Sequence, residues 1–312
     1  MNRANKPSTL PATPGPDPQA QVNVSHDNSR VAAQLPTGES IDVLLHGATV
    51  LSWKDAAGDE KLWLSDAAKL DGSGPARGGI PLVFPVFGTS DHPPVAKLPQ
   101  HGFARNSRWE FLGKSTSEGA TSGVKLDFGL SSDNVDETIQ ALWPYKYTLL
   151  YSVTLEPKNL ITTLVISNDG ETSFEFQTLL HTYFKVNNIE DVQVTGLEDA
   201  TYIDKVDSLK TKSQSGAVTF TGETDRIYTP AIPPSEPLII TEAGKPKFSI
   251  VRQNLENAVV FNPWVEKAAA TADLEPKDAW KNLVCVEPGT VGGWHQLDKG
   301  DTFEVAQTIS LP

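Results

Sequence analysis

The chain has 312 residues, of which 38% are hydrophobic and 21% are charged, as is ordinary for a globular protein with a sizeable core. Its formal net charge of −13 argues against nucleic acid or an anionic membrane surface as a general partner. No apolar run approaches the ~20 residues that a membrane-spanning helix needs, which argues against a helical membrane protein.

Residues 1–22 are interpreted as a disordered, proline-rich tail. The segment has a Pro-Gly-Pro run and no apolar stretch of the kind that a secretion signal carries. The sole cysteine, Cys285, excludes an internal disulfide, and with no export signal this favours a cytoplasmic protein. Residues 23–312 show no shift in composition that would mark a linker, so we expect a single domain there.

After the tail, the dominant pattern is a period-2 alternation of apolar and polar residues between turns. Ile41–Asp55 is predicted to form two strands joined at His46-Gly47, and similar segments recur to the end of the chain. Helical patterning is confined to two short segments, Val135–Leu142 and Glu275–Lys281. About fifteen strands without a βαβ rhythm predict an all-β protein, a large antiparallel β-sandwich with few short helices.

The least strand-like region is Gly72–Arg105, which is rich in Gly and Pro but also contains Val, Phe and Leu. We therefore expect an ordered, packed loop there, bracketed by Arg77 and Arg105. Guanidinium groups bind phosphate or carboxylate through paired hydrogen bonds, and Gln100 and His101 add polar groups near Arg105. These residues are typical of the rim of a site, although two structural arginines bonded to loop carbonyls would have the same spacing.

His181 follows the strand-like segment Phe174–Leu180. One residue separates it from two consecutive aromatic residues, Tyr183 and Phe184. A histidine there can be a core residue bonded to a backbone carbonyl, or a proton donor on the floor of a cleft, and both interpretations stay open. Glu287 stands immediately before Pro288-Gly289, where we expect its strand to end at a sheet edge or a cleft. A solvated carboxylate at a strand end is the alternative.

Two further residues also have competing interpretations. Cys285 shares a strand face with Glu287, and we expect it to pack in the core, because a nucleophilic thiol needs a paired histidine that the sequence does not indicate. Asp225 can bind sugar hydroxyls, or it can be a turn residue paired with its neighbour Arg226.

Metal and cofactor motifs are missing from the sequence. The six histidines are scattered without metal-ligand spacing, and no phosphate-binding glycine loop leads into a helix. We therefore predict neither a metal nor an organic cofactor.

Seven motifs are spread through nearly the whole chain after the tail. They are "RGGIPLVFPVFG" at Arg77–Gly88, "LPQHGFARNSRWEF" at Leu98–Phe111, "WPYKYTL" at Trp143–Leu149, "LLHTYFKV" at Leu179–Val186, "ETDRIY" at Glu223–Tyr228, "VVFNPW" at Val259–Trp264 and "VCVEPG" at Val284–Gly289. In this order and spacing they resemble the aldose 1-epimerase (galactose mutarotase-like) superfamily, and more closely its glucose-6-phosphate 1-epimerase branch.

The resemblance implies a large antiparallel β-supersandwich with an open cleft. It also implies a reaction that interconverts the α and β anomers of a sugar with no metal or organic cofactor. By position, His181 falls on the family's catalytic histidine, the acid, and Glu287 falls on its catalytic glutamate, the base. Asp225 falls on a sugar-binding aspartate.

The resemblance also extends to the substrate. Arg77, Gln100 and Arg105 fall on substrate-binding positions of the sugar-phosphate branch, and His101 lies beside them. The implied substrate is D-glucose 6-phosphate or a related hexose 6-phosphate, a small-molecule partner that we expect a monomer to bind.

Three other functions compete with this interpretation. A glycoside hydrolase would use two carboxylates, here Glu287 and Asp225, and would not need His181. A non-catalytic sandwich would bind sugar phosphate but leave the anomers to equilibrate at the rate of the buffer. A protein-interaction sandwich would bind no sugar.

Overall fold

The structure is a computed structural model that describes residues 19–25, 27–116 and 123–312. The predicted tail, residues 1–22, lies outside the described residues except for positions 19–22. The last two of these positions belong to the first strand, Gln21–Val24, which pairs with the second strand.

The described residues form 21 strands and two α-helices, joined by turns and short 3₁₀ segments. The helices are α1 Glu137–Leu142 and α2 Trp264–Ala270. The strands are β1 Gln21–Val24, β2 Arg30–Gln34, β3 Ser40–Leu44, β4 Thr49–Lys54, β5 Leu82–Val83, β6 Glu110–Thr116, β7 Val124–Ser131, β8 Tyr147–Leu155, β9 Asn159–Asn168, β10 Phe174–Leu180, β11 Tyr183–Lys185, β12 Val192–Thr195, β13 Thr201–Asp204, β14 Lys210–Ser213, β15 Val218–Thr219, β16 Thr224–Thr229, β17 Leu238–Glu242, β18 Lys245–Gln253, β19 Asn257–Asn262, β20 Leu283–Leu297 and β21 Thr302–Ser310.

The strands assemble into three antiparallel sheets. A four-stranded sheet has the order β1-β2-β3-β4, and a nine-stranded sheet has the order β15-β12-β17-β18-β21-β9-β8-β7-β6. The eight-stranded sheet has the order β14-β13-β16-β19-β20-β10-β5, and β11 also pairs with β20. The predicted all-β antiparallel class is confirmed.

The two larger sheets pack against each other through aromatic side chains. Phe176 on β10 contacts Phe303 on β21 with ring centroids 5.8 Å apart, and Phe184 on β11 contacts Phe248 on β18 at 4.7 Å. A buried hydrogen bond joins the sheets between these contacts: the Gln307 side chain on β21 donates to the Thr182 hydroxyl at 3.0 Å. Since successive residues of a strand point to opposite faces, Thr182 and Phe184 leave His181 and Tyr183 on the outer face of the eight-stranded sheet.

Two of the three local predictions of secondary structure are confirmed, and one is wrong. Ile41–Asp55 does form two strands, β3 and β4, and α1 lies within the helix predicted at Val135–Leu142, capped by an Asp136 carboxylate that accepts from the Thr138 N–H. The helix predicted at Glu275–Lys281 is wrong. The backbone N–H and C=O of Glu275 bond instead to the loop around residue 65, and only a 3₁₀ turn over Ala279–Asn282 follows.

The described residues contain one helix that we did not predict. Helix α2 follows Pro263 in a segment that looked like the end of a strand, and the Asn262 side chain accepts a hydrogen bond from the Trp264 N–H. Among the described residues no helix has the length and apolar character needed to cross a membrane.

Candidate active site

The register of β20 brings His181 and Glu287 face to face. Tyr183 on β11 pairs directly with Cys285 on β20, and residues paired in an antiparallel ladder share a sheet face. His181 is two residues before Tyr183 and Glu287 is two residues after Cys285, so both lie on that same face in the adjacent row. The His181 Nδ1 and Glu287 Oε1 atoms are 3.4 Å apart.

Asp225 joins the same face through the next two strands. Cys285 pairs with Phe261 on β19, and Phe261 pairs with Asp225 on β16. In the adjacent row, Glu287 pairs with Val259. The ladder thus builds the site floor from four strands, and chain positions far apart in sequence become neighbours.

The expectation that the strand ends at Glu287 is wrong, because β20 continues through Pro288-Gly289 to Leu297. Glu287 therefore lies inside a long strand of the sheet, and its side chain is 1% exposed. Proline lacks an N–H and is tolerated where a ladder is interrupted. Such an interruption lies beside Pro288, since β10 ends at Leu180 and β11 resumes only at Tyr183.

His181 occupies that interruption. Its backbone N–H donates to the Pro81 carbonyl at 3.0 Å, and its ring stacks on the Tyr183 ring with centroids 4.6 Å apart and planes 4° apart. Arg77 Nη1 donates to the Tyr183 hydroxyl at 3.4 Å. The first aromatic residue after His181 therefore supports its ring, while the second, Phe184, packs in the core.

The loop over residues 77–105 reaches the floor through a close backbone contact. Gly102 has φ 72°, and a Cβ there would lie 2.0 Å from the Phe84 carbonyl oxygen, so only glycine fits. This contact holds His101 over the site, where the Gly88 N–H donates to its Nδ1 at 3.1 Å. Because Nδ1 accepts, the proton of the neutral His101 ring is on Nε2.

His101 is held neutral by its surroundings. Burial, followed by the positive charges of Arg105, Lys205 and Arg77, lowers the pKa of His101 to about 2. A neutral ring with Nδ1 occupied offers one remaining polar group, an Nε2–H donor. His101 is thus a hydrogen-bond donor and not a proton carrier at neutral pH.

A cavity of about 210 Å³ lies over this floor. It is lined by six of the seven predicted site residues, namely Arg77, Gln100, His101, His181, Asp225 and Glu287. The seventh, Arg105, lies behind the lining, close enough for its charge to act on His101, His181 and Glu287. A larger cavity of about 790 Å³ borders β2–β4 and contains none of these residues.

The His181–Glu287 pair is buried and not hydrogen-bonded. A separation of 3.4 Å exceeds the ~2.7–3.2 Å of a normal hydrogen bond, and neither His181 Nδ1 nor Glu287 Oε2 has a hydrogen-bond partner among the residues that the structure describes. Burial, with the charges of Arg105 and Arg77, lowers the pKa of His181 well below its usual value. Burial, with the charge of Asp225, raises the pKa of Glu287 well above its usual value. Both shifts favour the neutral form of each group, in which the pair holds a single proton on Glu287.

The two arginines have different surroundings. Arg77 is already paired, since its Nε donates to Asp273 Oδ1 at 3.1 Å, and the neighbouring Tyr183 and Asp273 raise its pKa above the usual value. Arg105 donates through Nη2 to the Gln100 carbonyl at 3.0 Å, as the structural interpretation expected, but its Nε is buried without a partner. No carboxylate of the described residues forms an ion pair with Arg105, and burial lowers its pKa to about 10.

Two lysines that the sequence did not indicate complete the cavity. Lys205 Nζ lies 3.1 Å from Asp225 Oδ2, and Lys267 Nζ lies 4.0 Å from the same oxygen and 2.9 Å from Glu223. The interpretation of Asp225 as the turn partner of Arg226 is wrong, because adjacent residues of β16 point to opposite faces and Arg226 lies near Asp204.

Comparison with known proteins assigns the family. Residues 30–310 match the family model described as aldose 1-epimerase. The chain belongs to the aldose 1-epimerase family. A protein from Escherichia coli K12 named "Putative glucose-6-phosphate 1-epimerase" is 35% identical over 271 residues, 86% of this chain and 85% of that one. A protein of the same name from Cenchrus ciliaris is 34% identical over 254 residues, 80% of this chain and 74% of that one.

Solved structures of this family have the same fold. The crystal structure of a "putative mutarotase (YeaD)" from Salmonella typhimurium superposes with a TM-score of 0.77 at 30% identity, covering 91% of this chain and 92% of that one. A galactose mutarotase-like protein from Lactobacillus casei has a TM-score of 0.66 over 91% of this chain and 100% of that one, at 16% identity. The galactose mutarotase-like β-sandwich that we predicted is confirmed.

Within this aldose 1-epimerase family member, the seven predicted site residues do come together around one cavity. The sequence missed Lys205 and Lys267 because nothing local marks them. Lys205 follows the last residue of β13, and only the pairing of β13 with β16 sets it beside Asp225.

Proposed function

We propose that the protein interconverts the α and β anomers of D-glucose 6-phosphate and related hexose 6-phosphates. The observation that carries the proposal is the buried His181–Glu287 pair, not hydrogen-bonded at 3.4 Å and close to Arg105, which has no ion-pair partner among the described residues. Ring opening needs a proton acceptor and a proton donor that are held together but not satisfied by each other. The names of the relatives support the same substrate class.

In the proposed reaction, Glu287 takes the proton of the C1 hydroxyl while His181 gives a proton to the ring oxygen. The bond between C1 and the ring oxygen breaks, and an open-chain aldehyde forms. After rotation about C1–C2 the two residues exchange roles, and the ring closes on the other face of the carbonyl. Each step moves one proton in and one proton out, which fits a pair that holds a single proton.

The phosphate group helps to place that proton. The charges of Arg105 and Arg77 contribute to lowering the pKa of His181, and a bound phosphate would offset them. Phosphate binding should therefore move the proton from Glu287 towards His181. That shift produces the acid and the base that ring opening requires, at the time when a phosphorylated sugar is bound.

Arg105 is the proposed main phosphate ligand, since its Nε is buried and no carboxylate of the described residues forms an ion pair with it. Arg77 contributes through the guanidinium N–H groups that Asp273 leaves available, and Gln100 lines the same cavity. The His101 Nε2–H and the Asp225 carboxylate are the proposed partners of sugar hydroxyls. Acid, base and anion-binding groups all come from one chain, so the proposal requires no metal, organic cofactor or second subunit. We also propose that the reaction takes place in the cytosol, as the single cysteine favours.

A glycoside hydrolase is the second candidate, because Glu287 and Asp225 share one sheet face. The proposed mutarotase is favoured because a hydrolase gives no role to the buried histidine that faces Glu287. Release of free sugar from an oligosaccharide would decide for the hydrolase.

Anomer exchange provides the test. Freshly dissolved α-D-glucose 6-phosphate is followed by polarimetry, and equilibrium exchange between the C1 proton signals of the anomers is measured by NMR. We expect exchange that rises in proportion to protein concentration with no added metal or nucleotide. Exchange at the buffer rate would contradict the proposal, and so would activity that chelator abolishes and a divalent ion restores.

A further inference from the structure

The thiol of Cys285 lies next to the histidine–glutamate pair. One ligand atom each of His181, Cys285 and Glu287 lies within 4.8 Å of the other two, and all three residues are buried. Imidazole nitrogen, thiolate sulfur and carboxylate oxygen are the three ligand types that zinc uses in proteins. The proposed anomer exchange gives no role to the sulfur.

The geometry of the pair is close to that of two ligands on one zinc ion. Ligands at ~2.0–2.1 Å on a tetrahedral Zn²⁺ lie about 3.4 Å apart, and His181 Nδ1 and Glu287 Oε1 are separated by 3.4 Å. Within the described chain, His181 Nδ1 and Glu287 Oε2 have no hydrogen-bond partner, although His181 is only 8% exposed and Glu287 only 1%. A sulfur belongs about 3.6 Å from the other ligands, so binding would draw side chains together by roughly 1 Å.

We propose that Zn²⁺, or another thiophilic divalent cation, binds to His181, Cys285 and Glu287 and thereby inhibits the enzyme. Three protein ligands leave a fourth position for water, and the ion enters through the cavity that His181 and Glu287 line. The ion occupies the two groups that the proposed reaction uses, so sugar cannot exchange protons with them. The binding is independent of the proposed function, whereas the inhibition rests on it.

The chemistry of the three ligands sets the selectivity. Cys285 binds as a thiolate after its proton leaves to solvent, Glu287 binds as a carboxylate, and His181 binds through the lone pair of a neutral Nδ1. Mg²⁺ and Ca²⁺ prefer oxygen ligands in larger coordination shells, so a site with sulfur and nitrogen and only three ligands excludes them.

Equilibrium binding of Zn²⁺ tests the site directly. Chelator-treated protein competes for Zn²⁺ with a chromophoric chelator, and we compare wild type with Cys285→Ser and Cys285→Ala. Loss of a ligand should weaken Zn²⁺ binding at least as much as the ~10–100-fold that loss of an outer partner costs. Cys285→Ser keeps the shape of the side chain, and circular dichroism establishes that each variant is folded.

A second histidine–glutamate pair provides the matched control. His92 and Glu175 are in contact but belong to no group of three possible metal ligands within the described part of the chain, so His92→Ala should bind Zn²⁺ as wild type does. Co²⁺ as a probe should give a thiolate charge-transfer band in wild type and none in Cys285→Ser. Equal Zn²⁺ affinity in wild type and both Cys285 variants, or no charge-transfer band in wild type, would overturn the site.

Anomer exchange tests the inhibition. Zn²⁺ should inhibit wild type, chelator should reverse the effect, and Mg²⁺ should have none. Relative to its own uninhibited rate, Cys285→Ser should need at least tenfold more Zn²⁺. Full activity with the zinc site saturated would overturn the inhibition. If the protein shows no anomer exchange at all, the proposed function fails while the binding measurements still decide the site.

Discussion

Two histidine–glutamate pairs among the described residues have opposite surroundings. His92 Nε2 and Glu175 Oε2 are 2.8 Å apart, with side chains 25% and 41% exposed, and the His92 ring stacks on Trp294 at 4.2 Å. His181 and Glu287 are 3.4 Å apart and buried, with no hydrogen bond between them. The partly exposed His92–Glu175 pair is hydrogen-bonded to itself and accessible to solvent, so it needs no further polar partner.

The two pairs differ in whether their polar atoms have hydrogen-bond partners. A buried polar atom without a partner costs free energy that an exposed atom recovers from water. The fold carries this cost in the His181–Glu287 pair, where it also concentrates the charges of Arg77, Arg105 and Lys205. A site kept in that state is prepared for a polar ligand, and its volume would not have identified it, since a larger cavity lies elsewhere.

Substitutions in the two pairs should differ most in their effect on anomer exchange, because only the His181–Glu287 pair is proposed to transfer protons. Glu287→Gln keeps the shape and removes the basic oxygen, and His181→Ala removes the acid, so each should lower anomer exchange by about 10²–10⁴-fold. Glu175→Gln and His92→Ala make the same chemical changes at the exposed pair and should leave exchange unchanged. Equal turnover in Glu287→Gln and wild type, with an intact fold, would remove Glu287 as the base.

The arginines near the His181–Glu287 pair should have the next largest effect. Removing a charge-assisted contact worth roughly 1.5–3 kcal/mol should raise the KM for glucose 6-phosphate about tenfold to a hundredfold in Arg105→Met. Free glucose makes no such contact, so the ratio of kcat/KM for the phosphorylated over the plain sugar should fall by the same factor. Arg77→Met should have a similar but smaller effect, because Asp273 shares that guanidinium.

Arg108 provides the matched control for these two variants. It is an exposed arginine that donates to the Asn28 carbonyl and lies outside the cavity. Arg108→Met should therefore leave the kcat/KM ratio unchanged. A ratio that holds in both Arg105→Met and Arg77→Met would make these arginines structural, and the substrate would then be an aldose without phosphate.

Lys205 should show a weaker effect on substrate binding. It orients the Asp225 carboxylate at 3.1 Å, so Lys205→Met should raise the KM about threefold to tenfold, as expected for loss of one ordinary hydrogen bond. Lys125, which pairs with Asp127 on the far sheet, serves as control. An unchanged KM for Lys205→Met would show that Asp225 is held by other contacts.

The smallest effect concerns stability and its dependence on pH. Burial raises the pKa of Glu287, so the folded state holds a proton that the unfolded state releases above about pH 4. Glu287 therefore costs stability that grows as pH rises. Glu287→Gln should melt at a higher temperature than wild type at pH 8, with the difference shrinking towards pH 4. Calorimetry across this range would contradict the burial argument if the difference were constant.

The sequence predicted those features that depend on a short stretch of neighbouring residues. Alternation predicted the strands, and the motifs around His181, Glu287 and Asp225 predicted which residues share the cavity. It failed where a partner strand decides: Pro288 is accommodated only because the neighbouring ladder is interrupted, and Lys205 reaches Asp225 only through the pairing of β13 and β16. Register between distant strands depends on the whole sheet, and no local pattern encodes it.

The Gln307–Thr182 hydrogen bond has a consequence for random mutagenesis. Thr182 follows His181 in the interruption between β10 and β11, and its hydroxyl is held by a side chain of the opposite sheet. A screen for lost activity should therefore recover Gln307 substitutions, although this residue is fully buried and does not line the cavity. Such variants would lose activity as active-site variants do, although Gln307 lies on the opposite sheet. They would show that this sheet helps to fix the position of His181.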